Sequence, residues 1–178
     1  MKFVRKTDVE LQEPDIHQVI DSVVDGLLGR ELALSNIEVI RRYDYASPRL
    51  LTDRNQLQQV FLNILNNAVD ALEGKPGRIT VATERDERWL RISITDTGPG
   101  ITQDQLGKIF LPFYTTKGVG KGTGLGLSVS YGIVKDLGGE IEVESALNVG
   151  STFTIRLPLR IGRTESRLSQ KVGDRIAG

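Results

Sequence analysis

Cysteine does not occur in the 178 residues, which excludes disulfide staples and thiolate metal sites and agrees with a reducing compartment. The single histidine, His17, leaves too few imidazoles for a histidine-built metal centre. No apolar run reaches the roughly 18 residues of a membrane span, and the N-terminal Met-Lys-Phe-Val-Arg-Lys is no signal peptide. An excess of one charge is missing too. Basic and acidic residues number 23 each, so no overall field draws the chain to nucleic acid or to an acidic membrane surface. These absences together read as a cytosolic protein. What is present is the 39% hydrophobic and 26% charged balance of a soluble globular chain, long enough for one domain with a sizeable core.

Residues 1–13 are polar and lack a periodic face, so residues 1–14 read as an incoming linker with room for the remnant of a preceding helix; residues 15–160 read as the domain. Asp15 with Gln18 makes a capping box ahead of Ile16, Val19, Ile20, Val23, Val24, Leu27 and Leu28, which follow helical spacing. Ile37–Tyr43 reads as a strand. A second helix is predicted from Asp53 as N-cap to about Glu73, stopped by Gly74 and Pro76. Arg78–Glu84 and Trp89–Thr95 alternate as strands. The stretch 96–126 is glycine-rich with little periodicity, and a segment of that length is more often functional than connective. A third helix runs from about Gly124 to Leu137 and ends at Gly138–Gly139. Glu140–Ser145 and Ser151–Leu157 form a hairpin around Asn148–Gly150. Residues 161–178 read as a disordered tail. The pattern predicts an α+β fold: a two-layer sandwich, with a mixed, mostly antiparallel sheet of about five strands and three helices on one face.

Three segments carry chemistry. On the second helix, Asn63, Asn67 and Asp70 share a polar stripe beside the apolar face, with Asn66 nearer to solvent. Oxygens at i, i+4 and i+7 can converge on a hard cation such as Mg²⁺; a solvated helix flank is the other reading. Asp96-Thr97-Gly98-Pro99-Gly100 follows a strand. A carboxylate there can accept a hydrogen bond from an exocyclic amine while the glycines let backbone approach a planar base; a plain tight turn is the alternative. Gly118–Leu127 puts glycines ahead of a helix N-terminus, with Lys117 and Lys121 adding charge, which suits an anion, or is a flexible loop without a ligand. It is no Walker loop. In combination the three supply the parts of a nucleotide site. The Asp96 carboxylate selects adenine, whose amine donates, over guanine, whose carbonyl does not.

These segments resemble the boxes of the histidine-kinase ATP-binding domain in the GHKL superfamily of gyrase, MutL and related proteins. Gln59-Val60-Phe61-Leu62-Asn63-Ile64-Leu65-Asn66-Asn67-Ala68 resembles the N box, and Asp96-Thr97-Gly98-Pro99-Gly100-Ile101 the first glycine box. Ile109-Phe110-Leu111-Pro112-Phe113-Tyr114-Thr115-Thr116-Lys117 is similar to the F box. Gly122-Thr123-Gly124-Leu125-Gly126-Leu127 is similar to the second glycine box, and the Gly150-Ser151-Thr152-Phe153 hairpin also fits. The resemblance spans about residues 15–158 and implies the Bergerat fold, ATP and Mg²⁺. It places Mg²⁺ on Asn67 with support from Asn63, both catalytic, and the adenine amine on Asp96. The implied ATP-binding set further holds Asp70, Gly98, Gly100, Ile101, Phe113, Thr115, Thr116, Lys117, Gly122, Thr123, Gly124, Leu125, Gly126, Leu127 and Thr152. Residues from about 102 to 121 would form a lid anchored by Phe110 and Phe113.

Superfamily ATPases tend to carry a water-activating glutamate where Asn63 stands, and an amide cannot act as that base. Kinase is therefore favoured over hydrolase. The lysine and aromatic that many histidine kinases carry at the positions of Asp70 and Ala71 are absent. Phe-Tyr-Thr-Thr-Lys and Asn-Ala-x-Asp-Ala are similar to the nitrogen-regulation type of sensor kinase. His17 lacks the His-Glu-x-x-x-Pro-like setting of a phosphoacceptor and reads as a surface or packing residue. The resemblance thus implies a monomeric two-component catalytic domain without an internal acceptor. Its partners would be a dimerisation domain of the same kinase and, downstream, a response regulator. The competing readings are a degenerate nucleotide-binding regulatory module and a free-standing GHKL ATPase.

Overall fold

The structure, a computed structural model, describes residues 11–44, 50–116 and 122–159. Lys117, Lys121, most of the expected linker and the expected tail lie outside these residues. Strand β1 (Leu11–Gln12) pairs antiparallel with β3 (Thr52–Asp53), so two residues read from sequence as linker join the fold. Between them lie α1 (Ile16–Asp21), a π-helical segment (Ser22–Leu27), α2 (Gly29–Leu34) and β2 (Ile37–Arg42). There follow α3 (Arg54–Leu72), β4 (Gly77–Arg85), β5 (Trp89–Asp96), α4 (Gln103–Leu106), α5 (Gly126–Asp136), β6 (Glu140–Ala146) and β7 (Gly150–Pro158).

The main sheet has the order β2-β4-β5-β7-β6. Only the β2–β4 pair is parallel; β4–β5, β5–β7 and β6–β7 are antiparallel. The expected α+β sandwich with a five-stranded mixed sheet is what forms. Strand alternation sends Ile79 and Val81, Leu90, Ile92 and Ile94, and Phe153, Ile155 and Leu157 into one buried face. The apolar stripe of α3 (Leu57, Val60, Phe61, Ile64, Leu65, Ala68, Val69, Leu72) covers that face. Among the described residues six helical pieces, five α and one π, stand where three helices were expected, because the segment between β5 and α5 contributes α4 and the N-terminal helix is interrupted.

That interruption corrects the first helix. Asp15 does cap it, with Oδ1 accepting the Gln18 N–H at 3.1 Å, but the helix does not stop near Leu28. The wider π turn advances the phase of the apolar face by an extra residue. Leu27 consequently stands 55% exposed, while Leu28 and Leu32 are buried. Helix α3 starts as expected: the Asp53 carboxylate accepts the N–H groups of Asn55 (2.8 Å) and Gln56 (3.2 Å), satisfying two of the donors that a helix start leaves open. It ends one residue before the glycine, on Glu73 at φ 48°. His17 is occupied structurally, its ring stacked on Tyr43 at 4.3 Å and its Nε2 bonded to the Thr83 hydroxyl at 2.8 Å.

Candidate functional site

A cleft of about 930 Å³ opens where α3, the end of β5, residues 99–116 and the start of α5 meet. That volume lies in the range of about 300–1,000 Å³ usual for small-molecule sites. One wall is the polar flank of α3: Asn63, Asn66, Asn67, Asp70 and Ala71. Asn66, placed nearer to solvent by the sequence pattern, is half-buried and shares this wall. Asn63 is tied to α5, its Nδ2 donating to the Gly126 carbonyl at 3.0 Å and to the Ser130 hydroxyl at 3.1 Å.

Asp96 closes β5 at the back of the cleft and is 3% exposed. Burial pushes its carboxyl pKa up; the N–H groups of Gly98 (2.8 Å from Oδ1) and Ser151, which donate to the carboxylate, oppose that rise. The result is a desolvated acceptor held by three backbone donors, Gly98, Ser151 and its own N–H, with a remaining lone pair available to a ligand amine.

Beyond it Pro99, Gly100 and Ile101 form the floor. Gly100 sits at φ +78°, and a Cβ there would fall 2.2 Å from the Ala146 carbonyl oxygen, so only glycine lets this turn lie against the β6–β7 hairpin. Gly124 makes the corresponding approach on the opposite wall. It has φ +67° and would bring a Cβ within 2.5 Å of the Phe113 backbone. The Phe113 N–H donates to the Gly124 carbonyl at 2.9 Å, which joins the segment after α4 to the glycine-rich residues before α5. Helix α5 begins just after, with no side chain capping its first turn. The first-turn amides, without a side-chain cap among the described residues, and the positive end of the helix dipole therefore face the space beside Gly122, Thr123 and Gly126, a setting for an anion.

The fold brings Asn63, Asn67, Asp70, Asp96, Gly100, Ile101, Thr115, Thr116, Gly122, Thr123, Gly124, Gly126 and Leu127 to the cleft. Gly98, Phe113, Leu125 and Thr152 do not line it. Gly98 supports Asp96 from behind, and Phe113 is 74% exposed. The Thr152 hydroxyl pairs with that of Thr95 at 2.9 Å, and its neighbour Ser151 lines the cleft instead. Strand alternation was the available signal, since Ser151 shares a face with Phe153 and Ile155. Tyr114, Gln105, Ile109 and Glu73 also line the cleft; motif spacing does not single them out.

Among the described residues no group of three or more His, Cys, Asp or Glu is placed to hold a metal. The donor set at the α3 wall is hard oxygen throughout, the side-chain amides of Asn63, Asn66 and Asn67 and the carboxylate of Asp70. This fits an ion such as Mg²⁺ that draws one or two ligands from protein and the rest from phosphate and water.

Residues 52–161 match the model of the family described as histidine kinase-, DNA gyrase B-, and HSP90-like ATPase, and the chain belongs to that family. Within it, the similarity is to sensor histidine kinases. The sensor histidine kinase ZraS of Escherichia coli (strain K12) is 37% identical over 165 residues, covering 93% of this chain and 35% of ZraS. The chain thus spans about a third of the length of that relative. The catalytic domain of the histidine kinase ThkA, in a nucleotide-free form, superposes with a TM-score of 0.75 at 32% identity, covering 84% of this chain and 96% of that one. ThkA has also been solved in complex with the response regulator protein TrrA (TM-score 0.73, 30% identity, 85% and 42% coverage). Full-length ShkA in complex with AMPPNP gives 0.75 at 28% identity, covering 85% of this chain and 31% of ShkA. Among the described residues no helix is long and apolar enough to cross a membrane.

Proposed function

We propose that this chain is the catalytic domain of a two-component sensor histidine kinase, which binds Mg-ATP and donates the γ-phosphoryl group to a histidine on a separate dimerisation domain. The observation that carries the reading is the meeting of a buried carboxylate, Asp96, a wall of amide oxygens on α3 and the uncapped start of α5 around one cleft. The similarity to ThkA and ShkA, the second solved with an ATP analogue, supports it.

In this reading Asp96 accepts the adenine amine, with Gly100 and Ile101 against the base. Asn67 and Asn63 hold Mg²⁺ through side-chain oxygens; the ion, when bound, screens charge among the phosphate oxygens. Gly122–Leu127 and the first amides of α5 hold the phosphates, while Thr115, Thr116 and Lys117 close from the lid. The imidazole nitrogen of the acceptor attacks the γ-phosphorus in line, the bond to the bridging oxygen breaks with its electron pair leaving on ADP, and the imidazole proton passes to solvent. The imidazole is its own nucleophile, so this chain contributes alignment and neutralisation and needs no strong base. The amide at Asn63 cannot activate water, which keeps hydrolysis slow. A response regulator would take the phosphoryl group next; ThkA, solved with TrrA, is the structural parallel.

The test mixes the purified chain with the dimerisation domain of its kinase and γ-labelled ATP. Label should appear on the dimerisation domain and depend on Mg²⁺, with little free phosphate from the chain alone. Rapid phosphate release without any transfer would replace the kinase reading with that of an ATPase.

A further inference from the structure

Asn63 and Ser130 meet across the seam between α3 and α5, and their hydrogen-bond arithmetic closes in only one way. The Gly126 carbonyl accepts from Asn63 Nδ2 at 3.0 Å and from Ser130 Oγ at 2.9 Å. A carbonyl can only accept, so the atom of Asn63 facing it must be the NH₂ group and not the oxygen. The single hydrogen of the Ser130 hydroxyl is spent on the same carbonyl. At its 3.1 Å contact with Nδ2 the hydroxyl therefore accepts. The NH₂ end of Asn63 is then held on the α5 side by two acceptors, and the hydrogen-bond network assigns which end of the amide lies there. Asn63 lines the cleft, and Oδ1 is the atom left to face it.

Ser130 is 0% exposed. A serine in a helix commonly returns its hydroxyl to the carbonyl four residues back and does nothing more. Here that carbonyl also holds Asn63, and the hydroxyl keeps an acceptor turned to the same amide. The arrangement joins the helix that carries the amide oxygens to the helix that follows the glycine loop.

We propose that Ser130 is a positioning residue that, as second acceptor beside the Gly126 carbonyl that sets the orientation, holds the Asn63 amide with its oxygen toward the cleft, so that Asn63 serves the site as an acceptor, toward a cation or its water, and not as a donor to phosphate. The inference rests on the Mg-ATP reading of the cleft for its functional consequence; the locked amide itself does not depend on that reading. Partners that orient a metal-side ligand typically matter by about 10- to 100-fold in metal affinity.

Two measurements decide it. In the wild-type chain, side-chain amide NMR should show the Asn63 NH₂ protected from exchange, at one hydrogen or both, relative to that of exposed Asn148. Exchange of both at the Asn148 rate would overturn the lock, whether or not any variant folds. In Ser130→Ala, the factor by which Mg²⁺ strengthens adenine-nucleotide binding should fall by about tenfold or more, while metal-free nucleotide binding and the melting temperature stay near wild type. An unchanged Mg²⁺ factor, or an equal loss with and without metal, would overturn the positioning role. If the wild-type chain itself shows no Mg²⁺-dependent binding of adenine nucleotide, the functional reading fails while the NMR result still stands or falls alone.

Discussion

Replacing Asp96 by asparagine exchanges one oxygen for an NH₂ group in a side chain that is 3% exposed, with almost no change in volume. In the native fold the carboxylate accepts from the N–H groups of Gly98 and Ser151. An amide can keep its one oxygen on either a backbone donor or the adenine amine, and wherever its own NH₂ falls it meets another donor. A hydrogen bond to a charged group contributes about 1.5–3 kcal/mol, so Asp96→Asn should weaken ATP binding roughly 10- to 150-fold. It should also narrow the preference for adenine over guanine nucleotides, because a guanine carbonyl can accept from the new NH₂. Titration calorimetry with ATP and GTP reads both effects. Stability moves the other way: burial raises the Asp96 pKa, so the ionised carboxyl is costly in the empty fold.

The sign follows from that direction. With the folded pKa above the unfolded one, the wild type gains most over Asp96→Asn at pH values below the ordinary carboxylate range. That advantage is lost as pH rises through the raised pKa. Nucleotide binding needs the ionised form, so wild-type affinity should drop as pH falls through the raised pKa, more steeply than the affinity of the variant. A folded Asp96→Asn protein with wild-type ATP affinity and undiminished adenine preference would refute the reasoning.

Thr52 is 3% exposed and its hydroxyl has no hydrogen-bond partner among the described residues. Thr52→Val keeps the branched shape and removes an unsatisfied polar group, so urea unfolding should show equal or greater stability, by about 1 kcal/mol; a loss of that size would mean the hydroxyl is satisfied in solution. Gly124→Ala forces a Cβ to within 2.5 Å of the Phe113 backbone at φ +67°. Nucleotide affinity should fall while the melting temperature, set by the core under α3, changes little; equal affinity would show that the lid and glycine loop need not meet there.

Much of this molecule was legible from local rules. Asp53, followed by apolar residues at helical spacing from Leu57 to Leu72, specifies α3 because capping and the 3.6-residue period act within a few residues of one another. The alternation in 89–95 and 151–157 specifies strands and their buried faces for the same reason. Residue chemistry likewise determined that amides, an acid at a strand end and a glycine loop were the candidate parts. Tertiary structure decided what depends on docking between distant segments. The parallel pairing of β2 with β4 is long-range, and the π turn that turns Leu27 outward answers to the helix and sheet beneath it. Packing also turned Asn66 into the cleft, and it made Ser151, not Thr152, the strand residue that lines it. The grip of Gly126 and Ser130 on Asn63 joins residues 63 and 67 positions apart. No periodicity encodes such a contact, because its energy exists only once α3 and α5 have packed.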